Sequence, residues 1–356
     1  MNIKEVLPAL LGKRVAIDDA VTSYSTNIAS HKAAWCHVLK SQLASLGVEA
    51  QVLGKHDRLD SFDAWLIALP MEFQGTFNLF GGANDETALR IRRLLDFTGE
   101  IWIANHPMPD VGLMVDQRMR SGSPEWLKLD PAALTERCQG IQMIDLTLGS
   151  KTFVYGDSHS VSAYVPGADI SRNDGQTLFG TLRAGLASRL PSGIEQLVTY
   201  FGNIDVRHHL CRRPDPMASA IGLADDYVNQ VKALPIPRKS IVQLLPIEHE
   251  GRSIPKTGYY KGTPFYGGRE ERNLVMQAFN LRLDELAPAA GIELVKWPAH
   301  WYTMAPEEYA NLYMEKPKSV HLSRQWYQYD FEHQIPNPRL STSAPFAKVT
   351  RGNALF

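Results

Sequence analysis

Ser158 and His321 are the two side chains whose types could carry out covalent chemistry together. A serine hydroxyl is a weak nucleophile near neutral pH and attacks a carbonyl only when a base takes its proton. An imidazole suits that exchange, first as base and then as acid. Ser158 lies in Gly156-Asp157-Ser158-His159-Ser160, directly after the apolar run Thr152 to Tyr155, and His321 lies in Val320-His321-Leu322-Ser323. A third polar stretch, Phe201-Gly202-Asn203-Ile204-Asp205-Val206-Arg207-His208-His209, comes after the apolar run Gln196 to Phe201. Both runs read as strands that end in a polar loop, where open α/β sheets place their chemistry. If the three stretches converge, Ser158 is a nucleophile with His321 as its base, and the tetrahedral oxyanion needs donors already aimed at it. The Ser158 backbone N–H, a close backbone approach at Gly175 and the Asn203 amide are the candidates. Asp157, Asp205, Arg207 and His208 are the supporting polar residues. Such a mechanism needs no organic cofactor.

Each piece also has a plainer reading. A serine in a Gly-Asp-Ser turn can simply cap a helix, His321 can be a hydrogen-bonded structural histidine, and Asp205 with Arg207 can be a buried ion pair. The order and spacing of the pieces favour the joint chemistry. His208-His209 and His249-Glu250 lack a metal-ligand spacing, so no metal site is expected.

The elements that must position these residues form two alternating series. In the first, Arg14 to Asp18 reads as a buried strand, and Trp35, Val38, Leu39, Leu43 and Leu46 recur at helical spacing before Gly47. Glu49 to Leu53, Ala64 to Leu69 and Glu100 to Ala104 are further strands, and a helix capped at Asn84 or Asp85 buries Ile91, Leu94 and Leu95. Residues 110 to 140 read as less regular, and Gln142 to Leu148 as the last strand of this half. The boundary falls at Leu148-Gly149-Ser150. The second series runs through Thr152 to Tyr155, Gln196 to Phe201, Ser240 to Leu245 and Glu293 to Lys296. A helix from about Glu270 to Leu286 places Leu274, Ala278 and Leu281 on one face. The segment Pro246 to Arg272 carries Tyr259, Tyr260 and Tyr266 and could cover a substrate. The expectation is an α/β protein of two Rossmann-like three-layer domains with mainly parallel sheets: residues 1–150 for substrate recognition, residues 151–330 for catalysis, and an extended tail over 331–356.

Composition narrows the setting. With 356 residues, 44% apolar and 21% charged, the chain can build two ordinary cores. A formal charge of −1 argues against a broad basic face that binds nucleic acid by counterion release alone. Cys36, Cys138 and Cys211 are too few and scattered for a disulfide framework and suggest a reducing compartment. No window offers the roughly 18 uninterrupted apolar residues of a spanning helix, and Met1 to Leu11 does not read as a signal peptide, so a cytoplasmic location without membrane contact is expected.

Residues 151 to about 325 resemble the SGNH (GDSL-like) hydrolases, in particular the branch whose third block reads F-G-x-I-D-x-R. Gly156-Asp157-Ser158 matches the first block, Arg172-Asn173-Asp174-Gly175-Gln176-Thr177 is similar to the second, Phe201-Gly202-Asn203-Ile204-Asp205 with Arg207 to the third, and His321-Leu322-Ser323 to the last. The resemblance implies an SGNH-like second domain that hydrolyses or transfers an ester-linked acyl group. Ser158 and His321 would be the catalytic pair, with Gly175 and Asn203 at the oxyanion. Two departures stand out. Lys318 occupies the place of the family's aspartate, leaving Glu315, Asp330 or a backbone carbonyl to orient the imidazole. Asn203 also sits one position earlier than in the usual third block, so Arg207, His208 and His209 are alternative donors.

Residues 14 to 110 are faintly similar to the amino-terminal half of phage DNA β-glucosyltransferases, through Leu79-Phe80-Gly81-Gly82 and Asn105-His106-Pro107, with His106 near the place of that family's acid. An ordinary Rossmann-like half fits the same residues. The likeness implies DNA contact through the first domain, and the expected substrate is a small molecule, a glycan or an acylated nucleic acid. It also opens a rival, a glycosyltransferase using a nucleotide-sugar, in which Gly156-Asp157-Ser158 would hold phosphate. A third reading is a binding module on a hydrolase scaffold without turnover.

Overall fold

The computed structural model describes residues 1–18, 34–53, 57–68, 85–104, 107–108, 110–119, 124–173, 175–247, 262, 266–316 and 319–340. Leu79 to Gly82, Asn84, Asn105, His106, Asp174, Glu248 to Glu250, Tyr259, Tyr260, Lys318 and the tail beyond residue 340 lie outside them. The chain divides into two compact units, Met1–Leu148 and Gly149–Phe356.

The first unit carries α1 (Ile3–Leu10), β1 (Val15–Asp18), α2 (Ala34–Ser45), β2 (Ala50–Val52), β3 (Ala64–Ile67), α3 (Asp85–Asp96), β4 (Glu100–Ala104), α4 (Val111–Met119), α5 (Pro131–Gln139) and β5 (Gln142–Ile144). Its strands form a parallel sheet in the order β2-β1-β3-β4-β5. Trp65, Ile67, Ile91, Leu94, Ile103 and Leu134 are among the buried side chains of its core, and Trp65 meets Phe97 edge-on at 5.8 Å. Arg137 on α5 donates to Leu94 O and Phe97 O, satisfying carbonyls at the end of α3.

Two stretches add to the sequence reading. α4 and α5 are regular helices where irregular chain was expected: α5 starts from an Asp130 side chain that accepts from Ala132 N and Ala133 N, with Pro131 in its first turn. The amino terminus forms α1 through a capping box in which Asn2 Oδ1 accepts from Lys4 N and Glu5 Oε2 accepts from Asn2 N.

The second unit carries β6 (Thr152–Gly156), β7 (Asp169–Arg172), α6 (Leu178–Ala184), β8 (Gln196–Tyr200), α7 (Asn203–His208), α8 (Pro216–Ala233), β9 (Arg238–Val242), α9 (Arg269–Ala289), β10 (Glu293–Val295), α10 (Pro306–Tyr313), β11 (Tyr329–Asp330) and β12 (Ile335–Pro336). β6 to β10 form a second parallel sheet in the order β10-β9-β8-β6-β7. Read from the other edge, this repeats the first unit's order, second-first-third-fourth-fifth. Both units are thus doubly wound α/β layers, and each sheet reverses direction between its first and third strands.

In α9 only Ala278 of the three residues grouped on one face is buried. Leu274 and Leu281 are 54% and 62% exposed, while Val275, Phe279, Leu283 and Ala287 are buried. The four-residue spacing of that second set defines the inward stripe. Asn280 also points inward, and its amide accepts from Leu244 N and donates to Leu244 O just after β9. Within the expected tail, residues 331–340 are not simply extended either. β11 and β12 pair as an antiparallel hairpin, Phe331 stacks on Tyr164 at 5.5 Å, and the buried Asn337 donates to Tyr327 O and Gln325 O.

Candidate active site

The turn bearing Ser158 leaves β6 at Gly156, beside the point where the strand order reverses. A Cβ at Gly156 would lie 2.4 Å from Tyr200 O and 2.7 Å from Ser160 Cβ. Only glycine lets the turn press this close to β8, where Asp157 N donates to Tyr200 O at 3.0 Å. After Ser158 the chain makes a single 3₁₀ turn, Ser160–Ala163, and no α-helix for the serine to cap.

Ser158 and His321, both half-buried, meet with 2.8 Å between Ser158 Oγ and His321 Nε2, although 163 positions separate them in the chain. That is a hydrogen-bond distance, and with Nε2 unprotonated the hydroxyl donates to it. The peptide bearing His321 is held at several points. His321 N donates to Ser319 Oγ, Ser319 Oγ donates to Glu315 Oε1 at 2.6 Å, and Glu315 N donates to His321 O. Of the three groups the sequence reading offered for orienting the imidazole, Glu315 therefore acts on the backbone through Ser319. Asp330 instead engages His333, at 2.9 Å to the ring, and the backbone N–H groups of Glu332 and His333.

The other predicted site residues lie along the same carboxyl edge of the sheet. Asn173 N donates to Gly156 O at 2.9 Å, which ties the segment leading to Gly175 to the end of β6, and Gly175 adopts a φ of +79°. Asn203 starts α7 directly after β8. It is buried, and its side-chain amide lies against the Tyr200 hydroxyl without a hydrogen bond of ordinary geometry from Nδ2. The neighbouring Tyr200 hydroxyl is held protonated by burial, with the negative charge of Asp157 pushing in the same direction.

Asp205 is also buried, and its two oxygens accept from Leu178 N and Phe179 N at the start of α6. Burial pushes its carboxyl up to about 6 against the lowering effect of those bonds. Arg207, buried, donates to Asn203 O, and buried His208 accepts from Arg212 at its carbonyl. These two brace α7. His209 is held toward its neutral form by burial and by Arg212 and Arg213. A cleft of about 900 Å³ opens beside Gly175 and Asp205, walled also by Thr177, Phe179, His209 and Arg213; Ser158 and His321 are not among its walls.

The sequence reading assigned no role to His159, which is buried against this site. Its Nδ1 lies 2.8 Å from Asp157 Oδ1 and its Nε2 lies 2.9 Å from Val320 O. Burial pushes the thiols of Cys138 and Cys211 up to about 11, which suits packing rather than attack. Among the described residues no cluster of three metal-ligating side chains occurs, and no helix is long and apolar enough to cross a membrane.

No protein-family model matches the chain, and no curated protein sequence matches it. Among solved structures, it is similar to a gut microbial diltiazem-metabolizing enzyme at 14% identity and a TM-score of 0.31, over 43% of this chain and 38% of that one. It is also similar to phospholipase A1 from Streptomyces albidoflavus at 14% identity and a TM-score of 0.23, over 40% of this chain and 77% of that one.

Proposed function

We propose that the second unit is a serine hydrolase or acyltransferase of SGNH type acting on an ester-linked acyl group. The observation that carries this reading is the 2.8 Å contact between Ser158 Oγ and His321 Nε2 at the carboxyl edge of a doubly wound sheet. Ser158 Oγ attacks the acyl carbonyl while its proton passes to His321 Nε2. The resulting oxyanion collapses, the ester alcohol leaves with that proton, and an acyl group remains on Ser158. Water, or an acceptor hydroxyl, then gives up a proton to His321 and attacks the acyl carbonyl, releasing the acid or the new ester and restoring the serine.

The oxyanion takes hydrogen bonds from the Ser158 and Gly175 backbone N–H groups and from Asn203 Nδ2. A buried donor without a well-formed bond costs about 1–3 kcal/mol, so the Asn203 amide, which lacks one in the resting site, is suited to a bond formed with the reacting oxygen. The cleft beside Gly175 receives part of the substrate, a small molecule, a glycan or an acylated nucleic acid, which the first unit helps to recognise.

The test offers p-nitrophenyl acetate and butyrate to the purified chain and to Ser158→Ala. Turnover that disappears in the variant supports the reading. Equal release by both proteins, or none by either with any acyl ester tried, overturns it. A parallel panel of nucleotide-sugars with a DNA acceptor distinguishes the glycosyltransferase, whose activity would survive Ser158→Ala.

A further inference from the structure

The imidazole of His321 can serve as a base only if its peptide is held still, and one end of that peptide ends on His159. The Val320–His321 peptide group is planar, so holding its oxygen and its N–H fixes the direction in which the His321 side chain leaves the backbone. The N–H donates to Ser319 Oγ at 3.1 Å, and the oxygen accepts from His159 Nε2 at 2.9 Å. The His159 ring also lies against the His321 ring, with centroids 4.7 Å apart and planes 33° from parallel.

The protons can be counted. Val320 O can only accept, so His159 Nε2 must carry a proton. His159 Nδ1 and Asp157 Oδ1, 2.8 Å apart, share another, and the His159 backbone N–H also donates to Oδ1 at 2.9 Å. Whichever partner holds the shared proton, the pair as a whole is uncharged, which is how two ionisable groups with side chains 2% and 0% exposed can be buried together. Asp157 Oδ2 has no partner among the described residues, so Oδ1 carries all the bonding to His159.

We propose that His159, backed by Asp157, is the positioning residue of this site: it clamps the Val320 carbonyl and buttresses the His321 ring, so that Nε2 stays on Ser158. Asp157 Oδ1 holds His159 from the other side, through the ring Nδ1 and the backbone N–H. Without that carboxylate the ring would keep only its bond to Val320 O and be free to turn about it.

The kinetic part of the test rests on the hydrolase reading. His159→Leu should lower kcat by about 100-fold, as expected when a reacting group is misplaced by about 1 Å, while KM moves by less than about threefold. His159→Gln, which keeps a donor for Val320 O, should restore at least about tenfold of that loss. Asp157→Asn is nearly isosteric; it should lower kcat and shift the acid limb of the kcat/KM profile, whereas a merely structural pair would lower the amplitude and leave the limb in place.

Nitrogen NMR of the imidazoles tests positioning without turnover. In the parent chain His321 Nε2 should show the shift of a hydrogen-bond acceptor, and in His159→Leu and Asp157→Asn it should move toward that of a free imidazole. Unchanged His321 signals in a folded Asp157→Asn, or variants with parental kcat, overturn the proposal. A parent chain without esterase activity removes the hydrolase reading, and the NMR comparison then still decides the positioning claim.

Discussion

The two units share a strand order and differ in what they bury. In the first, the buried polar side chains among the described residues are Ser41 and Gln42, both on α2, and the sheet interior is apolar. In the second, Asp157, His159, Asn203, Asp205, Arg207 and His208 are all buried, and all come directly after β6 or β8, the strands on either side of the topological reversal. Burying polar groups is costly unless each finds a partner. Here the partners are mainly backbone groups of neighbouring loops, so the polar layer joins the strand ends to α6, α7 and the His321 loop. In the second unit this topology therefore carries a braced polar edge. In the first unit the segments after β1 and β3 lie outside the described residues.

The contrast is broken most forcefully at Ser158. Ser158→Ala should reduce ester turnover by about 10⁴-fold or more, and His321→Ala should add little further loss in the double variant, because nucleophile and base act as one unit. Steady-state kinetics of the two single variants and the double variant measure this. Next in size, Asn203→Ala should lower kcat by about 10²–10³-fold with a smaller change in KM, and the kcat-to-KM split is its readout. A third substitution probes the apolar unit. Ile103→Ala, at a fully buried position of β4, should cost about 2–5 kcal/mol in denaturant unfolding of the first unit while kcat stays at the parental value.

The smallest expected effect concerns Asp205. Asp205→Asn leaves one of two backbone donors without an acceptor and should cost about 1–3 kcal/mol. Because burial raises this carboxyl to about 6, the folded chain binds more protons than the unfolded chain between an ordinary aspartate value and 6. Its contribution to stability is therefore greatest below that window and is lost as the pH rises through 6, and the asparagine variant should lack this slope in melting curves between pH 4 and 7.

Much of this was legible in the chain. The apolar runs that end at Ala104, Tyr155 and Phe201 betray strands because a doubly covered parallel strand is apolar on both faces. Ser158 and His321 could be paired from the order of the polar stretches that come after such runs. Signals for α1, α5 and α8 were also present, as Asn2 with Glu5, Asp130 with Pro131, and Asp215 with Pro216. The inner face of α9 was hidden because two leucines point outward while an asparagine points in. His159 gave no signal of its own: its acceptor is a backbone carbonyl 161 positions away, and main-chain oxygens look alike in every sequence.

The most direct test of the central claim is covalent. A fluorophosphonate probe added to the full chain, with peptide mass spectrometry of the product, should place its phosphonyl group on Ser158, and His321→Ala should slow that labelling by several orders of magnitude. Modification at a different residue, or an unchanged rate after loss of His321, would contradict the account.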